Sequence, residues 1–276
     1  MIRRTKRVLP GFTLSLGLSV LFISLVMLLP LCTLLLQTAQ MSWSEFWFAV
    51  TDPRVVAAYK VTLLTAAVAS LLNGVFGLLL AWILVRYQFP GRRLVDALVD
   101  LPFALPTAVA GLTLSAMFAT NGWIGSFFDQ FGIKISYTQV GIILAMMFTS
   151  IPFVVRTVQP VLEDLGPEYE EAAETLGASP IQSFLRVVFP HIMLPLSTGV
   201  ALSFTRSLGE FGAVIFIAGN MPFETEVASL MIFTRIQEFD QLGAAAIATV
   251  ILSASLLLLF AIQILQARFL KRLGVA

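Results

Sequence analysis

Two ionisable residues four apart, Arg206 and Glu210, stand in the stretch Ser203-Phe204-Thr205-Arg206-Ser207-Leu208-Gly209-Glu210-Phe211-Gly212. A charge at the centre of a membrane helix costs about 2.5 to 3.5 kcal/mol on insertion scales, so neither is expected to face lipid. At that spacing they share one helical face and can pair. Two roles stay open. Either the pair is structural, neutralising itself or locking this subunit to another, or it flanks a path. In the second case Arg206 offers positive potential to a passing anion and Glu210 limits how tightly that anion binds. Ser203 and Ser207 are further candidates for the same path. Other chemistry is excluded more firmly. No Gly-x-x-x-x-Gly-Lys-Ser/Thr phosphate loop is present, and no nucleophile stands in array with a base and an orienting group. The single histidine, His191, rules out a multi-histidine metal site, and the single cysteine, Cys32, cannot form an internal disulfide. Energy for any transport must come from another subunit or from an ion gradient.

The second chemically legible stretch is polar: Glu171-Ala172-Ala173-Glu174-Thr175-Leu176-Gly177, continuing through Ala178 to Phe189 and Pro190. Pro167 suits a helix start, where a missing N–H is harmless, and Gly177 can take the left-handed conformation that closes a helix. Ser179 is placed to cap a second helix beginning at Pro180. That helix is expected to end at Phe189, because Pro190 lacks the N–H that would continue it. The segment reads as a bent, two-part helical elbow.

The elements that must position these residues are membrane helices. The 276-residue chain is 58% hydrophobic and 12% charged, against about 25% charged in a soluble domain. A formal net charge of +1 gives no sign of a nucleic-acid partner. Apolar runs predict an all-α integral membrane protein with six transmembrane helices, at about 12–36, 61–85, 97–120, 137–158, 191–219 and 243–266, with the elbow in a loop at 159–190. The first run is too long for a signal-peptide core and is read as a retained span. Residues 37–58 interleave Trp43, Phe46, Trp47 and Phe48 with polar side chains, as a short surface helix or a docked loop would. Within the third span, Pro102 and Pro106 predict either a bent helix beside a path or a kinked packing helix.

Charge placement orients these spans. Arg3, Arg4, Lys6 and Arg7 precede the first; Arg86, Arg92 and Arg93 follow the second; Arg156 lies just before the elbow and Arg186 within it; Arg268, Lys271 and Arg272 follow the last. These make 12 of the 17 basic residues, whereas the other side holds only Arg54, Lys134 and Arg235. By the positive-inside rule both termini (1–11 and 268–276) and the elbow are cytoplasmic, and 12–267 form one transmembrane domain.

The spacing Glu-Ala-Ala, three residues, Gly, nine residues, apolar, one residue, apolar, Pro resembles the cytoplasmic loop of binding-protein-dependent ABC importer permeases. Val187 and Phe189 stand here where Ile and Leu are commonest. Other stretches (8–12, 86–111, 122–125, 152–162 and 209–220) are similar to sulfate/thiosulfate permeases of the T type. Molybdate permeases share part of that pattern but are shorter. The resemblance implies the type I ABC importer permease fold, with the elbow as a coupling helix that docks into a separate ATPase. Glu171 would be the polar contact, Ala172 and Ala173 would permit close approach, Gly177 would make the bend, and Pro190 would close the motif. It also implies a bacterial inner-membrane heterodimer with a second, W-type permease. Two ATPase subunits would bind ATP and magnesium, so this chain would bind no cofactor itself. A periplasmic protein would deliver sulfate or thiosulfate. The alternatives are a permease for molybdate or another oxyanion, a secondary anion transporter, and a purely structural membrane subunit.

Overall fold

A computed structural model describes residues 12–273, so the basic cluster at 3–7 and the terminal residues 274–276 lie outside the described residues. The side chains of Lys271 and Arg272 are likewise outside them. Every regular element among the described residues is helical. Five helices are long and apolar enough to cross a membrane: α1 (Phe12–Ala39), α3 (Pro53–Arg86), α8 (Gln139–Asp164), α10 (Pro180–Leu208) and α13 (Gln241–Leu273), the last being apolar through Ile264. Short helices link them: α2 (Trp43–Val50), α4 (Arg92–Val99), α5 (Leu101–Ala104), α6 (Thr107–Phe118), α7 (Gly125–Asp129), α9 (Glu168–Thr175), α11 (Val214–Ile217) and α12 (Ala228–Gln237).

The centre is a three-helix packing of α3, α8 and α10, and small residues set how closely these helices approach. A Cβ at Gly77 of α3 would lie 2.8 Å from Val154 of α8, and one at Gly199 of α10 would lie 2.8 Å from the Val154 Cα. Membrane helices associate through such small-residue contacts, because lipid removes the usual hydrophobic drive. Helix α1 is apolar all round and buries no residue in its hydrophobic window. Its second half leans on α13, where the Thr38 and Thr249 hydroxyls meet at 2.9 Å. Helix α2 starts from a capping box: Ser42 Oγ accepts the Glu45 N–H, while Glu45 Oε2 accepts the Ser42 N–H. The aromatic stretch is therefore a short helix, with Trp43 and Trp47 stacked 5.8 Å apart.

Three expectations need correction. The third span is not one bent helix. Residue Leu105 is extended (φ −85°, ψ 135°), the conformation toward which the Pro106 ring biases the residue before it. What remains beyond it, α6, is 12 residues or about 18 Å long, short of the roughly 30 Å hydrocarbon core. The fifth span is displaced: α10 begins at Pro180 and ends at Leu208, and the chain from Gly209 onward forms a break and then the short α11. Pro190 does not end the elbow's second helix. A π-helical turn, Phe184–Val188, precedes it, and this wider turn accommodates a residue with no N–H to donate, so the helix runs on through Pro190.

Candidate functional site: an elbow and an interrupted core

The elbow is shaped by local backbone chemistry. Helix α9 ends in a Schellman motif: the Gly177 N–H donates to the Glu174 carbonyl at 2.9 Å and the Ala178 N–H to the Ala173 carbonyl at 3.0 Å. This requires the left-handed φ of +84° that Gly177 adopts. Two residues on, Ser179 opens α10 with a reciprocal cap, its Oγ accepting the Gln182 N–H and its N–H donating to Gln182 Oε1. The hinge is thus satisfied on both sides, with Gly177 at the corner.

The motif residues face outward. Glu171, Ala172 and Gly177 are exposed, Ala173 is half-buried, and Pro190 is exposed. The Glu171 carboxylate has no hydrogen bond or ion pair among the described residues, leaving it open to a partner. Leu176 is 89% exposed and Ile181 72%, which is unusual for large apolar side chains on a polar element. Between the two limbs lies a pocket of about 270 Å³, lined in part by Ala173, Gly177, Gln182 and Arg186.

Arg206 and Glu210 do pair, at 2.6 Å between Nη1 and Oε2, but not as two residues of one helix. Helix α10 has ended at Leu208, and Glu210 belongs to the break. Its Oε1 accepts the Ala213 N–H at 3.0 Å and its carbonyl accepts the Ser229 hydroxyl at 2.7 Å. Glu210 is 1% exposed, whereas the Arg206 side chain keeps 33% of its surface. The carboxylate is fixed and the guanidinium still offers a face. This break meets the interruption in the third apolar stretch: a Cβ at Gly212 would lie 3.1 Å from the Ala108 nitrogen at the start of α6. Non-helical backbone at membrane depth is tolerated where it is buried in protein or lines a cavity.

Ser203 and Ser207 are placed differently from Arg206. Both are fully buried in a joint between α3, α8 and α10. Ser203 Oγ donates to Ser150 Oγ at 2.9 Å, and the Ser150 and Ser207 hydroxyls lie 3.2 Å apart. The Asn73 amide donates to Ser150 Oγ at 2.9 Å and to Ser203 Oγ at 3.2 Å. Asn73 was missed in the sequence, although a lone amide inside an apolar run is itself a signal. Arg86 and Arg156 were read only as orienting charges. Arg156 binds Asp96 and Asp100 of the α4–α5 segment, and Arg86 binds Glu170 of the elbow. On the opposite end, Arg54 makes a two-pronged contact with the buried Glu226 at 2.7 and 2.8 Å. A groove of about 850 Å³ opens there, lined in part by Asn121, Lys134, Gln139 and Glu224.

Residues 73–275 match the family described as the binding-protein-dependent transport system inner membrane component. Over 268 residues the chain is 69% identical to the sulfate transport system permease protein CysT of Salmonella typhimurium, covering 97% of each chain. The probable sulfate transport system permease of Nephroselmis olivacea is 51% identical over 258 residues, covering 94% of this chain and 91% of its own. Among solved structures, a bacterial alginate ABC transporter in complex with a pentasaccharide-bound periplasmic protein is similar with a TM-score of 0.78. It shares 18% identity and covers 95% of this chain and 96% of its own.

Proposed function

The chain belongs to the binding-protein-dependent transport system inner membrane components, and we propose from that premise that it is the permease subunit of an ATP-driven importer of sulfate or thiosulfate. It is a transport subunit and not an enzyme. The near full-length 69% identity to a sulfate permease is the observation that carries the substrate. A doubly charged oxyanion cannot cross hydrocarbon unaided, since desolvating one charge costs tens of kcal/mol by Born estimates. A polar route opened alternately to each side removes that barrier.

The elbow supplies the coupling. Glu171, Ala172 and Ala173 meet a groove in a separate ATPase, Gly177 sets the bend, and the exposed Leu176 and Ile181 dock beside them. Two such ATPase subunits bind the ATP and magnesium. A second, W-type permease completes the heterodimer in the inner membrane, with termini and elbow on the cytoplasmic side. A periplasmic sulfate- or thiosulfate-binding protein delivers the anion to the opposite face, where the groove by Lys134 and Asn121 opens. Within the membrane the path runs past the paired interruptions, where Arg206 presents positive potential and Glu210 limits its strength. Ser203 and Ser207 hold the helices behind it.

Labelled sulfate uptake in cells with and without this chain tests the assignment. Loss of uptake on deletion, with competition by thiosulfate and little by molybdate, is expected. Unchanged sulfate uptake would overturn the sulfate assignment.

A further inference from the structure

We propose that Arg86 is the positioning residue that fixes the elbow to the membrane core, so that a displacement of the elbow is delivered to α3 and α8 together. Arg86 is the last residue of α3. Its Nε donates to Glu170 Oε1 of α9 at 2.9 Å, and Nη2 lies 2.7 Å from the same oxygen. Nη1 donates to the Leu162 carbonyl at 3.1 Å and Nη2 to the Gly166 carbonyl at 3.3 Å. Leu162 is in the last turn of α8, where carbonyls have no helical partner, and Gly166 is in the turn that leads to α9. One planar fork therefore holds the ends of three segments.

The other limb of the elbow is tied to the same turn of α3. The Arg86 guanidinium sits 5.5 Å from the centre of the Trp82 ring. Trp82 in turn packs edge-on against Phe184, 5.2 Å away, in the π-helical turn that follows Ser179. Thus Arg86 holds α9 and Trp82 holds the start of α10, with Gly177 between them. Side-chain exposure of 12% for Arg86 and 22% for Glu170 sets this pair apart from a solvated surface bridge. Arg92 and Arg93, a few residues on, make no ion pair among the described residues and suit the role of plain orienting charges. A lysine could keep the ion pair but not the fork and the ring contact.

The inference rests on the elbow being the coupling element. It is tested in proteoliposomes carrying the complete importer, reading labelled sulfate moved per ATP hydrolysed. For Arg86→Gln that ratio should fall about tenfold, the scale of mutations that alter coupling between sites. Arg86→Lys should recover part of it. Glu170→Gln should lower it less, because the carbonyl contacts remain. A purely structural role would lower transport and hydrolysis together and leave the ratio unchanged. If Arg86→Gln does not assemble, Arg86→Lys and Glu170→Gln decide by the same ratio. An unchanged ratio in these variants, with a lowered ratio in Gly177→Val, overturns the role of Arg86 while the coupling reading stands. An unchanged ratio in Gly177→Val as well overturns both.

Discussion

Arg156 of α8 grips Asp100 with two parallel hydrogen bonds, Nε to Oδ1 at 2.9 Å and Nη2 to Oδ2 at 2.7 Å. Its Nη1 also reaches Asp96 Oδ1 at 2.6 Å and Gln159 Oε1 at 2.6 Å. The guanidinium staples the amphipathic α4 to the core just before the interrupted third stretch. Because the groups are partly exposed, the expected loss for Arg156→Ala is about 1 to 2 kcal/mol, below that of a buried pair. Arg156→Lys should recover less than half, since an ammonium cannot make the fork. Thermal unfolding midpoints in detergent would show the order wild type, Lys, Ala. Equal midpoints for Lys and wild type would contradict it.

The pair at the break makes a sharper test. Arg206→Gln leaves the 1%-exposed Glu210 carboxylate without its counter-charge, and such a loss costs about 3 to 5 kcal/mol. The double variant Arg206→Gln with Glu210→Gln removes both charges and keeps an oxygen for the Ala213 N–H. It should assemble. If Arg206 supplies potential to the anion, sulfate uptake in this variant stays at least about tenfold low, the effect of roughly 1.4 kcal/mol. Full recovery of uptake would make the pair structural.

Gly177 separates backbone geometry from space. A Cβ there would meet nothing within 4 Å, yet φ is +84°, so a side chain fits but strains the backbone. Asn tolerates that conformation better than Ala or a β-branched residue. Uptake should therefore decrease in the order Gly, Asn, Ala, Val, with Ala costing about 1 kcal/mol. If the larger Asn were worse than Ala, crowding at the ATPase groove and not the bend would be the reason for glycine.

The Asn73 joint predicts a folding defect. Asn73→Ala removes the donors to Ser150 and Ser203 from a site with no exposure, at about 1 kcal/mol per hydrogen bond. The assembled fraction recovered in detergent should fall, and the transport rate per assembled complex should hold. A normal yield with a slow rate would place Asn73 on the path instead.

How far these features could be read in advance depended on whether the signal was local. Gly177 and Ser179 were legible because Schellman and capping geometry is written within a few residues. The long apolar runs of α1, α3, α8 and α13 were legible for the same reason. Pro190 misled because a π-turn upstream can absorb a missing N–H, and nothing in composition announces that turn. The break at Leu105 was half visible in Pro106, but whether a proline bends a helix or ends it is decided by what packs around it. Arg86, Arg156 and Asn73 each have hydrogen-bond partners more than 50 positions away. The two charges and the lone amide were visible and their geometry was not.

Glu45 gives a pH prediction. The Ser42 hydroxyl and backbone N–H hold its carboxyl below the usual carboxylate range. A lowered folded pKa means the cap stabilises α2 above the unfolded value, near 4.5, and is lost as pH falls through the folded value. Tryptophan fluorescence from the stacked Trp43 and Trp47 should change over that acidic window. In Glu45→Gln this transition should be absent, and its persistence would assign the change to another group.

In the proposed importer this chain forms a route for sulfate that opens only when a separate ATPase turns over. Proteoliposomes containing this chain, its partner permease and the ATPases would be loaded with labelled sulfate and the binding protein on the periplasmic side and ATP on the other. Sulfate should cross only when ATP and the binding protein are both present, and should not cross with a non-hydrolysable nucleotide. Transport driven by a proton or sodium gradient without ATP would contradict ATP-driven import and make the chain a secondary transporter.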